Sequence, residues 1–236
     1  MLSFVVPAHN EEHELPATLQ ALRKAADASG HDYEVLLVDD ASTDATAEIA
    51  RSFGVQVLPV KLRQIGAVRN AGARLARGEI LFFVDADTRI APEHVTAALA
   101  ALNGGAVGGS ARVAMDGELP LWARIFLRVF SVFYFGAKLG VGAFLFMRRA
   151  DFEKAGGFDE QYFAGEEVYL TIALKELGPF VILPQPIVTS ARKVRMHGPR
   201  FVLQESFLIM WRGKQGLLTR EKLGLWYSGK REGAKA

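Results

Sequence analysis

Ile80-Leu81-Phe82-Phe83-Val84-Asp85-Ala86-Asp87 is the stretch that decides the fold. Five apolar side chains in succession make a strand buried on both faces, and such strands belong to parallel sheets covered by helices. The run stops on two carboxylates separated by one small residue, so acids stand at the carboxyl end of a buried strand. Working back, residues 65–77 read as a helix closed by Gly78, 55–60 as a strand and 45–53 as a helix broken by Gly54. Residues 34–38 are another apolar strand, ending at Asp39-Asp40. Residues 12–29 place Leu15, Leu19, Leu22 and Ala26 on one helix face before Gly30, and 2–7 form the first strand. Working forward, 92–102 is a helix with Pro92 in its first turn, where a missing N–H is harmless. Strands alternating with helices predict an α/β fold, a mostly parallel sheet with helices on both faces.

Beyond Gly104 the alternation loosens. Residues 106–114, 142–147 and 181–183 read as strands, and 119–139, 150–155 and 166–177 as helices. From Phe201 onward the chain reads as amphipathic helix. With no internal repeat and no low-complexity linker, residues 1–236 are expected to form one domain in two halves that meet near residue 105. The apolar segment 119–147 lacks acids, but its longest uncharged, strongly hydrophobic run covers only 129–137. A bilayer span takes roughly 20 apolar residues, so this is no transmembrane helix. It fits an interfacial amphipathic helix, a core element or a homodimer face.

Composition narrows the classes. Half of the 236 residues are apolar and 23% are charged, which excludes a disordered chain. Cysteine is absent, which excludes disulfide scaffolds, thiolate metal sites and cysteine nucleophiles. The opening residues show no signal peptide, and a cytoplasmic setting is expected. Charge is uneven: residues 189–236 hold 11 Lys/Arg against 3 Asp/Glu, and the remainder holds 17 against 23. A basic tail on an acidic body suits a polyanionic partner or the inner face of an anionic membrane, and equally a solvated helix surface.

In parallel sheets ligands gather beyond the carboxyl ends of the strands. Those ends carry Pro7-Ala8-His9-Asn10-Glu11, Asp39-Asp40-Ala41-Ser42 and Asp85-Ala86-Asp87-Thr88. Asp85 and Asp87 make a hard-oxygen site for Mg2+ or Mn2+, which favour a few carboxylates plus phosphate oxygens and water. Asp40 suits a base N–H or a ribose hydroxyl, and suits a helix cap as well. Arg69, near a helix start, is placed to meet a phosphate or the opposing carboxylates. Glu166 and Glu167 complement the dipole of the helix they open, and stand where a general base would be placed.

Six segments, in order, resemble family 2 of the glycosyltransferases, with the GT-A fold. They are Val5 through Glu11, Val38 through Asp44, Gly66 through Gly72, Val84 through Asp87, Gly156-Gly157-Phe158-Asp159-Glu160 and Gly165-Glu166-Glu167. The resemblance covers roughly residues 1–200. It implies a nucleotide-binding half at about 1–105, an acceptor half at about 106–200 and basic amphipathic helices at about 201–236. Pro7, His9 and Glu11 would then line the base and ribose, with Asp40 recognising the base and Asp85 and Ala86 contacting the nucleotide. Asp87 would coordinate Mg2+ or Mn2+ at the diphosphate, helped by Asp85 and by His197 from a basic loop. Gly142 and Ala143 would approach the donor sugar. Glu167 falls at the family's catalytic acid, usually Asp, with Glu166 next in line.

The function so implied is an inverting, metal-assisted transfer of sugar from a nucleotide-diphosphate sugar to an acceptor hydroxyl, on an acceptor that is lipid-linked or membrane-proximal. No nucleic-acid partner is expected. Two alternatives remain at this point: a nucleotide-sugar-binding protein without transfer, and a sugar nucleotidyltransferase. The second ordinarily carries a glycine-rich, basic loop after the first strand, where this chain has Pro7-Ala8-His9-Asn10-Glu11. A dinucleotide-dependent dehydrogenase is excluded by the missing Gly-x-Gly-x-x-Gly turn.

Overall fold

A computed structural model describes residues 1–192 and 217–218. The first half runs β1 (Leu2–Ala8), α1 (Leu15–Asp27), β2 (Tyr33–Asp40), α2 (Thr46–Ser52), β3 (Gln56–Val60), α3 (Ile65–Leu75) and β4 (Ile80–Val84). Then follow β5 (Thr88–Arg89), α4 (Pro92–Asn103), β6 (Gly108–Met115), α5 (Leu121–Gly136) and β7 (Phe144–Arg148). The last elements are α6 (Arg149–Lys154), α7 (Glu166–Leu177) and β8 (Phe180–Thr189). One eight-stranded sheet joins the strands in the order β3-β2-β1-β4-β7-β6-β8-β5.

The buried strands sort their side chains by pleat. Phe4, Val6, Phe82, Val84, Phe144 and Phe146 face one core, closed by Leu15, Leu19 and Leu22 of α1 and Val95 and Leu102 of α4. Val5, Leu81, Phe83, Leu145 and Met147 face the other, closed by Val68 of α3 and Leu170 and Leu174 of α7. This period of two, apolar on both sides, is what the unbroken hydrophobic runs encode. Phe4 and Phe82 stack across β1 and β4 with centroids 4.7 Å apart. Helix α3 lies close on the sheet because Gly72 has no side chain: a Cβ there would sit 2.4 Å from Val5 Cγ1.

Three features depart from the sequence expectation. The strand at 142–147 runs antiparallel to both of its neighbours, β4 and β6. A two-residue strand, β5, pairs antiparallel with β8 immediately after Asp87. Strand β8 is ten residues long despite Pro184 and Pro186. Its register against β6 jumps from Leu183 to Ile187 while β6 advances only from Ala111 to Val113, so both prolines sit in a bulge that needs no ladder N–H. Residues 201–216 and 219–236, read as amphipathic helix, lie outside the described residues.

The topology fixes where a ligand can go. From β1 the chain builds outward through β2 and β3, then returns to lay β4 on the other side of β1. The crevice at this reversal, outside the carboxyl ends of β1 and β4, is the binding position of open α/β sheets. Antiparallel β7 brings its beginning to the same rim, where the Asp85 N–H donates to the Ala143 carbonyl at 3.2 Å.

Candidate active site

A cavity of about 280 Å3 occupies that crevice. Pro7, His9 and Glu11 enter it beyond β1, Asp40 from the end of β2, and Asp85, Ala86 and Asp87 beyond β4. Gly142 and Ala143 line it ahead of β7, Arg69 from α3, and Glu166 and Glu167 from the start of α7. Every residue singled out from the sequence therefore meets in one place, except His197, which lies outside the described residues.

Arg69 stands at the centre and is 2% exposed, a buried group and not a surface arginine. Its guanidinium donates to Asp85 Oδ1 at 2.7 Å, Glu166 Oε1 at 2.5 Å and the Gly142 carbonyl at 3.0 Å. Burial works against its charge, but Asp85, Glu166 and Glu167 overcome that and raise its pKa above the ordinary arginine value. A Cβ at Gly142 would come 2.7 Å from the guanidinium and would force it to shift off its three partners. The neighbouring Asn70 exchanges two hydrogen bonds with the backbone of Phe158, at 2.8 and 3.0 Å, pinning the 156–160 loop that leads into α7. Adjacent side chains of one helix thus hold both walls of the cavity. Replacing Arg69 with Ala leaves the buried Glu166 carboxylate, and the partly exposed one of Asp85, without their cation, and is expected to cost about 3–5 kcal/mol of stability, read from the denaturant midpoint. Arg69→Lys restores little, because one ammonium cannot reproduce the planar fork.

The two glutamates are not equivalent. Glu166 is 2% exposed and committed to Arg69. Burial raises its pKa, with Arg69 opposing. Glu167 is half-buried, and its carboxyl makes no hydrogen bond or ion pair among the described residues. Burial first, and the charge of Glu166 second, push its pKa up to about 8. A carboxyl poised near neutrality in a cleft is what general acid–base chemistry requires.

Asp40 is neither a helix cap nor an uncommitted acceptor. Its oxygens accept from the backbone N–H of Leu62 at 2.8 Å and of Arg63 at 2.8 and 3.0 Å, which hold Arg63 in a left-handed conformation with φ 55°. The residue whose side chain meets the start of α2 is Asp44, which accepts from the Thr46 N–H at 3.0 Å. Nδ1 of His9 lies 2.9 Å from the Asp40 carbonyl, which can only accept. Arg63 Nη1 stands 2.8 Å from Nε2 and 3.1 Å from Nδ1, and the tautomer with the proton on Nδ1 lets Nε2 accept from it.

Two cavity cations were not identified in the sequence, Arg63 and Arg192. Nothing in the local pattern marks Arg63; its place follows from the Asp40 bonds. Arg192 opens the basic stretch that was noted for His197. It pairs with Glu11 at 2.9 Å and lies 3.7 Å from Asp87. Asp87 is also 3.4 Å from Thr189 Oγ1.

The cavity lining holds six carboxylates against three guanidinium groups. Among the described residues no group of three or more His, Asp or Glu side chains is arranged to hold a metal by itself. The donor set still fits Mg2+ or Mn2+, which take one or two carboxylates and fill the remaining positions from phosphate and water. The Asp85 oxygen that does not meet Arg69, and the carboxylate of Asp87, are hard donors on one rim.

The match that settles the family spans residues 3–156, nearly two thirds of the chain, and is to glycosyl transferase family 2. The chain belongs to that family. Among the family 2 relatives, an undecaprenyl-phosphate 4-deoxy-4-formamido-L-arabinose transferase of Aeromonas hydrophila is 36% identical over 120 residues, 48% of this chain and 37% of that protein. The chain thus matches well under half the length of this relative. Family 2 membership agrees with the fold, which is GT-A. The S. aureus TarS 1–349 structure in complex with UDP-GlcNAc superposes with a TM-score of 0.65 at 21% identity, over 81% of this chain and 58% of that one. Glucosyl-3-phosphoglycerate synthase of Mycobacterium tuberculosis, in complex with Mn2+, UDP and phosphoglyceric acid, gives 0.61 at 19% identity, over 90% and 78%.

Proposed function

We propose that this family 2 protein is an inverting glycosyltransferase that moves a sugar from a nucleotide-diphosphate sugar to an acceptor hydroxyl. The observation that carries the reading is the pairing across one cavity of an Asp85–Asp87 rim with Glu167, a carboxyl whose pKa lies near 8. The first suits an activated diphosphate, the second the proton of an attacking hydroxyl. The UDP-GlcNAc and Mn2+–UDP complexes of the two structural neighbours support a donor and a divalent cation of these kinds.

The nucleotide lies towards His9, Asp40 and Arg63, and the diphosphate towards Asp87 and Arg192. Asp87 and Asp85 would hold Mg2+ or Mn2+, which when bound supplies positive charge against the leaving diphosphate. The surplus of carboxylates over guanidinium groups favours a bound cation ahead of an anionic donor. Arg69 lines the same cavity with its guanidinium committed to protein partners. Its three partners make it the group that fixes Asp85, Glu166 and the Gly142 backbone in place. Arg192, beside Asp87, adds its charge at the phosphates.

Glu167 accepts the proton of the acceptor hydroxyl as that oxygen bonds to the anomeric carbon. The carbon–oxygen bond to the diphosphate breaks, and its electron pair leaves on the phosphate oxygen. Attack and departure occupy opposite faces of the ring, so the anomeric configuration inverts. Incubation with a panel of nucleotide sugars and Mn2+ tests this. A nucleoside diphosphate and a glycoside of inverted configuration are expected, and a retained configuration or release of a nucleoside monophosphate would contradict it.

A further inference from the structure

Helix α5 presents a face that the fold does not use. Leu121, Ile125, Val129, Val132 and Phe133 are 53–74% exposed, and their spacing puts them on one stripe of the helix. Among the described residues of α5, Ala123 is buried but none belongs to either hydrophobic core, and a 16-residue helix is marginal in water by itself. Arg124, Arg128 and Lys138 beside the stripe are exposed, and no acidic residue occurs between 119 and 150. Among the described residues no helix is long and apolar enough to cross a membrane.

Charge selects the occupant. A second copy docking face to face would bring a second basic face, also without an acid between 119 and 150, against the first. The chain's own residues 189–236 carry 11 Lys/Arg against 3 Asp/Glu, and would also bring like charge. An anionic bilayer brings the opposite charge to the arginines and an apolar phase to the stripe. We propose that α5 is an interfacial helix, with Leu121, Ile125, Val129, Val132 and Phe133 in the headgroup region of an anionic membrane and Arg124, Arg128 and Lys138 on lipid phosphates.

The face is wired to the cavity. Tyr134 of α5 donates to the Gly140 carbonyl at 2.7 Å, and the Gly140 N–H donates to Thr171 Oγ1 at 3.1 Å. Thr171 in turn donates to the Glu167 carbonyl at 2.7 Å. Two residues beyond Gly140 the chain enters the cavity at Gly142 and Ala143. A membrane seated on α5 therefore borders the wall that carries Glu167, and the acceptor reaches that carboxyl from the lipid surface. This last step rests on the transfer reading above; the lipid contact does not.

Sedimentation of the full chain with phosphatidylcholine vesicles, with and without phosphatidylglycerol, tests the proposal. Binding is expected with phosphatidylglycerol and weakens with salt. Each surface arginine contributes about fivefold, so the double variant Arg124→Glu/Arg128→Glu is expected to bind about 25-fold more weakly or worse. Val132→Asp/Phe133→Asp is expected to lose binding at least as far, whereas Leu75→Asp on α3 keeps it. A wild-type chain that ignores anionic vesicles, or α5 variants that bind like wild type, would overturn the proposal. So would a dimer by light scattering that Val132→Asp/Phe133→Asp dissociates, in a chain without vesicle binding. Stabilisation by any member of a panel of nucleotide sugars with Mn2+ is read separately in solution and is expected unchanged in Val132→Asp/Phe133→Asp. Vesicle binding by α5 without any such stabilisation would leave the lipid contact standing and remove the transfer reading.

Discussion

Glu167→Gln is expected to lower transfer by about 10²–10⁴-fold, the range for loss of a general base, while sparing donor binding and stabilising the fold. The first part follows from geometry: the side chain lines the cavity, and the amide cannot take a proton from the acceptor. The second follows because no hydrogen bond among the described residues depends on its carboxyl. The third is a linkage argument. Burial raises the folded pKa to about 8 against 4.5 for the free side chain, so between these values the unfolded chain is ionised while the folded chain keeps the proton. Stability is full below about pH 4.5, falls as pH rises through the window and levels above about pH 8. Glutamine removes that loss, so the gain in Tm is largest above pH 8 and disappears in mild acid. Because solvent still reaches the half-buried Glu167, screening keeps the gain well below what the full shift would give. Wild-type transfer, by the same titration, rises with pH towards about 8. A catalytic carboxylate held at a cost in stability gives opposite signs in the two assays; a merely structural one would lose both.

Asp87→Asn is the complementary case. Loss of its charge is expected to remove the divalent-metal dependence of donor binding and to lower turnover about a hundredfold or more, several kcal/mol of charge stabilisation at the leaving group. Folding is expected to change by less than about 1 kcal/mol, because Arg192 keeps Glu11 at 2.9 Å and stands 3.7 Å from Asp87. Chemical denaturation and donor titration with and without Mn2+ separate the two effects. Asp87 therefore contrasts with Arg69, whose removal unbalances buried charge and is felt first in the fold.

Much of this was legible in the sequence, because buried parallel strands announce themselves as unbroken apolar runs and their ends as turns. The alternation of 2–7, 34–38, 55–60 and 80–84 with helices placed Pro7, Asp40 and Asp85 on one edge before any coordinates. Direction was not legible for β7, since an apolar run reads alike in either sense. Strand β8 was cut short at 181–183 because Pro184 and Pro186 argue against a ladder, and only the bulge against β6 accommodates them. Arg63 was missed because its position depends on a left-handed backbone held by Asp40, a tertiary fact with no local signature. The distinction between Glu166 and Glu167 is likewise tertiary: adjacent and chemically identical, they part only because Arg69 reaches one of them.

One crevice is proposed to bind a nucleotide-diphosphate sugar through Asp87 with a divalent cation. Calorimetric titration of the full chain with UDP-GlcNAc and related nucleotide sugars tests it most directly. Saturable binding to at least one donor, strengthened by Mn2+ or Mg2+ in the wild type and no longer strengthened by either in Asp87→Asn, is the predicted result. Binding that is indifferent to the metal and to Asp87, or no binding to any nucleotide sugar, would contradict it.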